Sequence, residues 1–500
     1  MWKKPVHPWI YEINARVWLK RLRQEYRAPF GLGDVPADEW RRIKDLGMDL
    51  VWLMGVWRPS QASREIAWAH QGLQAEYARV LADACPSDVA GSPYAVAGYQ
   101  LSPLLGSPVE LAVLKEKLNG LGLGLILDLV PNHTARDHPW CEKRPDLYVM
   151  SRDKGWFQPS EAFECGEAGE DPWWVAHGRD PYFPPWTDTA QLNAANPDTR
   201  AALAEIALGL TDVCDGLRCD MAMLAMNRIF SQTWGKWMTK QGQSEPADEF
   251  WPTVAGPAKA KRPDFLFIAE AYWGTEGELL RQGFDYCYDK GGYDLLSSRN
   301  GAGMAAALEA EGPEAGAKVR FLENHDEERA ASRVPASAME ACVAAFLFLP
   351  GMKLFQQGQL QGARVKLPVQ LCRAPSEPRD ERIAALYETI LSLANQPLFK
   401  QGQFTKPAFA GDASGERGRE NLLVHLYRRG DSLGLAAANL SDYPARGALA
   451  PAKLPALDKL AFKAGGPTGG LGNRPPSLSR TAKGWLVDAP PCSWGVWVTG

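Results

Sequence analysis

The chain has 500 residues, 45% hydrophobic and 10% aromatic, which is more than one ordinary domain needs and ample for a large core. A net charge of −4, small and spread out, argues against capture of nucleic acid or of an anionic membrane and suits a neutral partner. No run of about 18 apolar residues could cross a bilayer, and no apolar leader precedes the first strand-like segment, so the expected location is the cytoplasm with no membrane partner. Nine cysteines, an odd number, with Cys214, Cys219 and Cys287 in or beside strand-like runs, read as reduced buried thiols.

Eight strand-like runs follow one another: Trp9 to Asn14, Leu50 to Trp57, Leu123 to Val130, Gly216 to Asp220, Phe265 to Ala271, Gly283 to Tyr288, Val319 to Asn324 and Met352 to Gln357. Helix-like stretches such as Pro108 to Leu118, Pro197 to Leu210 and Pro335 to Leu347 separate them, an alternation that predicts an α/β chain, a (β/α)8 TIM barrel rather than a sandwich. The connection from Asn132 to about Asp188 is too long for an ordinary loop and is rich in Trp, Pro, Gly and acids, as functional insertions are. After about Lys400 short alternating stretches, Asn421 to Tyr427, Gly434 to Asn439 and Gly484 to Val487, predict an antiparallel β domain, with Gly465 to Pro476 a loop in it. The expected organisation is a barrel over 1–132 and 189–400, an inserted subdomain over 133–188 after the third barrel strand, and a C-terminal β-sandwich over 401–500.

Three of the runs deliver a carboxylate at their C-terminal side: Asp220, Glu270 and Asp326. A fourth ends in Asp128-Leu129-Val130-Pro131-Asn132-His133. Acids so placed are costly unless paired or used, and a parallel barrel gathers its site at strand C-termini.

Together, Asp128 to His133, Gly216-Leu217-Arg218-Cys219-Asp220, Glu270 and Asn324-His325-Asp326 resemble the four ordered motifs of the α-amylase family of glycoside hydrolases, family 13, over most of residues 8 to 360. The resemblance implies a retaining mechanism with Asp220 as nucleophile, Glu270 as acid/base and Asp326 holding the distorted sugar; in retaining enzymes the reacting carboxyls stand about 5–5.5 Å apart. It also implies that His133 and His325 bind sugar hydroxyls, that Tyr94 stacks on the sugar, that Asp128 and Arg218 belong to the substrate site, and that the insertion walls the cleft. Arg218, two residues before Asp220 on one strand, is expected to keep that acid ionised, and the apolar neighbours of Glu270 to raise its pKa. No cofactor is needed for the chemistry. Asn132, with Asp128, has a second role as an oxygen ligand of a structural calcium, and a zinc reading of His133, Asp137 and His138 lacks a third nitrogen or sulfur ligand at a typical spacing. Trp140, Trp156, Trp173, Trp174 and Trp186 are candidate sugar platforms in the insertion.

Departures narrow the expectation. Met221-Ala222-Met223-Leu224 replaces the Lys-His pair that many amylases use on leaving sugars, and Ala95 stands where chain-end-acting relatives place an aspartate. The expected function is hydrolysis of α-1,4-linked glucans or maltooligosaccharides; the alternatives are glucan transfer on the same substrates and a catalytically silent carbohydrate-binding member.

Overall fold

Buried parallel strands read as continuous apolar runs, and eight of them close into a barrel in chain order. They are β1 (Trp9–Asn14), β2 (Leu50–Met54), β3 (Gly124–Leu129), β4 (Gly216–Cys219), β5 (Leu266–Ala269), β6 (Tyr286–Tyr288), β7 (Lys318–Arg320) and β8 (Met352–Gln356). Every neighbouring pair is parallel, and β1 closes the ring against β8. This computed structural model describes residues 4–166, 171–410, 416–450, 457–466, 474–481 and 484–499. Among those residues no helix is long and apolar enough to cross a membrane.

The alternation along each strand builds two cores. Ile10, Leu50, Trp52, Ile126, Leu266, Ile268, Val319 and Leu354 fill the barrel, while residues such as Tyr11, Val51, Leu125, Leu217 and Phe267 face the surrounding helices.

Strand ends differ from the sequence reading where side chains replace the ladder. The run Leu50 to Trp57 breaks at Gly55, in the left-handed region at φ 78°, and Trp57–Pro59 pairs antiparallel with Val96–Leu101. Strand β7 stops at Arg320, and beyond it Asn324 Oδ1 accepts from the backbone N–H groups of Asp326 (2.9 Å) and Glu327 (3.0 Å), a turn that aims Asp326 without a strand. Two helices the periodicity did not suggest, Gln61–Ala69 and Gln71–Val80, are capped by Ser60 Oγ and His70 Nδ1.

The long connection after β3 holds a three-stranded antiparallel sheet of Met150–Ser151, Trp173–Ala176 and Ala162–Cys165, and its neck is closed by pairing of His133–Ala135 with Thr189–Gln191. All nine cysteines are free thiols.

Beyond residue 402 two antiparallel sheets pack face to face. Leu422, Val424, Leu435 and Trp497 of the five-stranded sheet meet Ala445, Leu449, Val487 and Ala489 of the three-stranded one. The opposite face of the larger sheet, with Leu423, Tyr427, Ala436, Ala438 and Trp494, joins the main core, and Tyr427 Oη donates to the Phe348 carbonyl of helix Met339–Phe348 at 3.0 Å. Of the loop expected over Gly465 to Pro476, Gly465 and Gly466 end a strand, and 467–473 lie outside the described residues.

Because that face covers the barrel helix, a chain ending at Lys400 should aggregate on expression rather than give a folded barrel. The soluble fraction and its circular dichroism check this; a soluble, cooperatively unfolding truncation would contradict it.

Candidate active site

At the C-terminal mouth of the barrel one buried guanidinium organises the carboxyls. Arg218 on β4 donates from Nη1 to Asp220 Oδ1 at 2.8 Å, and its Nη2 stands 2.8 Å from Glu270 Oε2 as an ion pair outside hydrogen-bond geometry. Asp128 of β3, beside it in register, comes within 3.7 Å of Nη1. The guanidinium is flanked by the rings of Tyr94, Trp52 and Tyr288, whose centroids lie 5.1, 5.2 and 5.5 Å away. Asp220 and Glu270 thus hold two nitrogens of one planar group, and their separation is bounded by that group and its two contacts.

Glu270 follows β5 directly. Its Oε2 accepts from the Met221 backbone N–H at 2.6 Å and its Oε1 from Tyr272 Oη at 2.8 Å. Met221 takes φ 41° to make that contact, a strained conformation for a side-chain-bearing residue, of the sort that clusters at functional sites. Burial pushes the Glu270 carboxyl up to about 7, with Arg218 opposing and Asp220 and Asp326 adding to the rise. Burial likewise raises Asp220 above the usual carboxylate range, although Arg218 pulls the other way. Arg218, expected to keep Asp220 ionised and oriented, donates to it and opposes the rise that burial causes. Asp128 is pushed up to about 7 by burial against Arg218, and its Oδ1 has no hydrogen-bond partner.

Asp326 differs from the other two acids in being exposed, its side chain 45% accessible, with Oδ2 3.0 Å from His325 Nε2. His325 also stands 2.7 Å from Tyr94 Oη through Nε2, and Tyr94 stacks on it with centroids 5.4 Å apart. Burial disfavours the charged imidazole, but Asp326 and Glu12 outweigh it and hold its pKa well above the usual value.

The sequence reading missed Glu12, Tyr288 and Trp52 as parts of this site, and took Tyr272 as an apolar neighbour of Glu270 where it donates a hydrogen bond. Glu12 left a signal: it is the one acid in the apolar run of β1.

His133 has its ring 5.2 Å from Trp186 and its Nδ1 3.2 Å from Asn132 Nδ2, and burial lowers its pKa to about 4. Asn132 Oδ1 accepts from Gln191 Nε2 at 3.0 Å, and Asp128 lies beside Arg218. Neither fits a calcium cage of six or more oxygens, and among the described residues no three His, Cys, Asp or Glu gather as a metal site. Asp137 accepts instead from Ser60 Oγ and the Ala62 N–H.

Of the insertion tryptophans, Trp173 is buried, Trp140 packs on His138, and Trp186 alone meets a residue of the expected site. The exposed aromatics are others: Trp273, 42% accessible, meets Tyr182, 60% accessible, edge-on at 4.9 Å. A cavity of about 540 Å³ opens beside the acids rather than on them: Glu12, Met54, His325 and Gln356 line it, and Asp220 and Glu270 do not.

Acids gathered at a barrel mouth, with Glu270 and Asp128 pushed up to about 7, are the equipment of glycosidic bond cleavage. Residues 37–282 match the family model "Alpha amylase, catalytic domain". The alpha-amylase MalA of Haloarcula japonica is 25% identical over 366 residues, which is 71% of this chain and 44% of that one. An oligo-1,6-glucosidase of Saccharomyces cerevisiae is 24% identical over 50% of this chain and 41% of its own length. The chain thus spans less than half the length of these two relatives. In fold, an alpha-amylase structure from Lactobacillus plantarum superposes with a TM-score of 0.63 at 18% identity, covering 99% of both chains. Residues 37–282 thus match the catalytic domain of the α-amylase family of glycoside hydrolases.

Replacing Arg218 by Met should destabilise the fold by roughly 3–5 kcal/mol, the usual result of breaking a buried ion network from one side. The loss should grow with pH. Without the cation the folded-state pKa values of Asp128, Asp220 and Glu270 rise further above their unfolded values, so stability is present at low pH and lost as pH rises through them. Urea unfolding of wild type and variant at pH 5 and pH 8 checks this; a difference that shrinks toward pH 8 would contradict it.

Proposed function

We propose that this chain is a retaining α-glycosidase that hydrolyses α-1,4-linked glucans or maltooligosaccharides by double displacement. The observation that carries the reading is the shared guanidinium of Arg218, which sets a protonatable Glu270 beside Asp220. In the first step the Asp220 carboxylate attacks the anomeric carbon while Glu270 gives its proton to the departing glycosidic oxygen. In the second, Glu270, now ionised, takes a proton from water, which attacks the anomeric carbon and releases Asp220 with the α configuration restored. Arg218 supports the ionised form of Asp220 on which the first step depends. Asp326, open to the cleft, is suited to accept hydrogen bonds from sugar hydroxyls, with the His325 imidazolium as a donor beside it.

The cleavage position is internal rather than terminal in this reading. Ala95 is buried in a small apolar cluster with Ala97 and Ala135, so nothing there accepts from the free hydroxyls of a terminal glucose. After Asp220 the segment Ala222–Ala225 is apolar and buried, and supplies no polar contact to leaving sugars. Because relatives include an oligo-1,6-glucosidase, isomaltooligosaccharides belong in the same assay.

Asp220→Asn should remove nearly all turnover while the fold persists. Glu270→Gln should spare substrates with an activated aryl leaving group far more than natural glucans, since such groups depart with little protonation. Equal losses on both would refute the acid role. For wild type on glucans, kcat/KM should fall as pH rises through about 7, where Glu270 loses its proton. Early digestion of maltoheptaose should give a spread of shorter α-configured oligosaccharides; glucose alone, or β products by NMR, would sink the reading.

A further inference from the structure

We propose that Glu12 is the positioning residue of this site: from within β1 it grips His325 Nδ1 and thereby fixes where Nε2 points, between Tyr94, Asp326 and the bound sugar. The inference rests on the glycosidase reading for its consequence and on geometry alone for its first half.

Glu12 follows Ile10 on the inward face of β1, above an apolar layer of Ile10, Leu50 and Leu354 and in register with Trp52 of β2 and Gln356 of β8. A carboxylate among them is expensive unless something uses it. Its Oε1 lies 2.5 Å from His325 Nδ1, across 313 residues of sequence, while Oε2 is buried with no partner. One oxygen is therefore committed to the histidine and the other to nothing, which is poor design for a packing residue and adequate for an orienting one. An imidazole whose Nδ1–H donates to a carboxylate has its ring rotation and its other nitrogen settled together.

The groups facing His325 from every side are few. Glu12 meets it from β1, Trp52 packs on it from β2 with centroids 5.4 Å apart, Tyr94 comes from the loop after β2, and Asp326 follows it in the chain. Asp128 on β3 and Asp220 on β4 are the next acids, both already drawn to Arg218. Behind Glu12, Glu323 is neutralised by Arg329 at 2.6 Å. Of these, Glu12 alone contacts Nδ1, and Nε2 is directed at Tyr94 Oη and Asp326 Oδ2.

The test uses Glu12→Gln, which keeps size and a hydrogen-bonding oxygen but not the charge, and Glu12→Asp, which keeps the charge and shortens the reach. Near-ultraviolet circular dichroism first confirms native packing of each. Histidine-labelled protein, with the His325 resonance assigned through His325→Gln, then reports imidazole titration by NMR. In wild type His325 should titrate well above the usual imidazole range, and in Glu12→Gln its titration should move down. An aryl α-glucoside, which draws little on Glu270, gives the kinetic arm. Glu12→Gln should lower kcat/KM by roughly 10- to 100-fold, the range for losing the outer partner of an oriented histidine, and shift the alkaline limb to lower pH, with partial rescue in Glu12→Asp. An unmoved titration overturns the grip, and a moved titration with an unmoved rate profile overturns the role in catalysis. A wild type inactive on every α-glucoside would instead defeat the glycosidase reading, and the NMR arm would still decide the grip.

Discussion

One cation held inside a barrel among three acids is the constraint on which the site depends. Arg218 is 1% exposed, and Asp128, Asp220 and Glu270 all reach it. A single positive charge cannot balance three negative ones in a medium of low dielectric, so some carboxyls must retain protons at neutral pH. Asp220 has the hydrogen bond from Arg218, whereas Glu270 has an ion pair without that geometry and a donor in Tyr272. Unequal shares of one guanidinium separate an acid from a base without any external cofactor.

The barrel was legible in the sequence because parallel strands buried on both faces leave unbroken apolar runs, and the acids stood out as charges at their ends. The spans of β1 and β8 are read almost to the residue. The reading weakened where a side chain, rather than a ladder, holds the chain. Asn324 stops β7 early and turns Asp326 into place, and Gly55 releases the chain after β2. Neither event has a periodicity. Cross-strand relations were also out of reach. That Arg218 serves Glu270 and Asp128 as well as Asp220, or that Glu12 meets His325, depends on register between strands distant in sequence.

The expected sugar ligands divide by position. Tyr94 and His325 stack on each other beside the acids, and His133 packs on Trp186 at the neck of the insertion, where His133–Ala135 pairs with Thr189–Gln191. The aromatic surface facing solvent likewise comes from Tyr182 and Trp273, not from the tryptophans that composition brings to notice. Large rings in a small subdomain are needed first for its core.

A second buried arginine shows what the mouth of the barrel would look like if it served stability alone. Arg320, the last residue of β7, pairs with Asp289 and Glu311 and donates to the carbonyls of Pro350 and Ala315, so that each of its three nitrogens has a hydrogen-bond partner. At the mouth, by contrast, Arg218 Nη2, Asp128 Oδ1 and Glu12 Oε2 are buried without hydrogen bonds. Buried polar atoms are nearly always paired, so a cluster of exceptions around one cation needs a reason beyond folding. The difference lies in the hydrogen bonds left unmade around Arg218, a local cost to folding of the kind that collects where side chains are arranged for something other than stability.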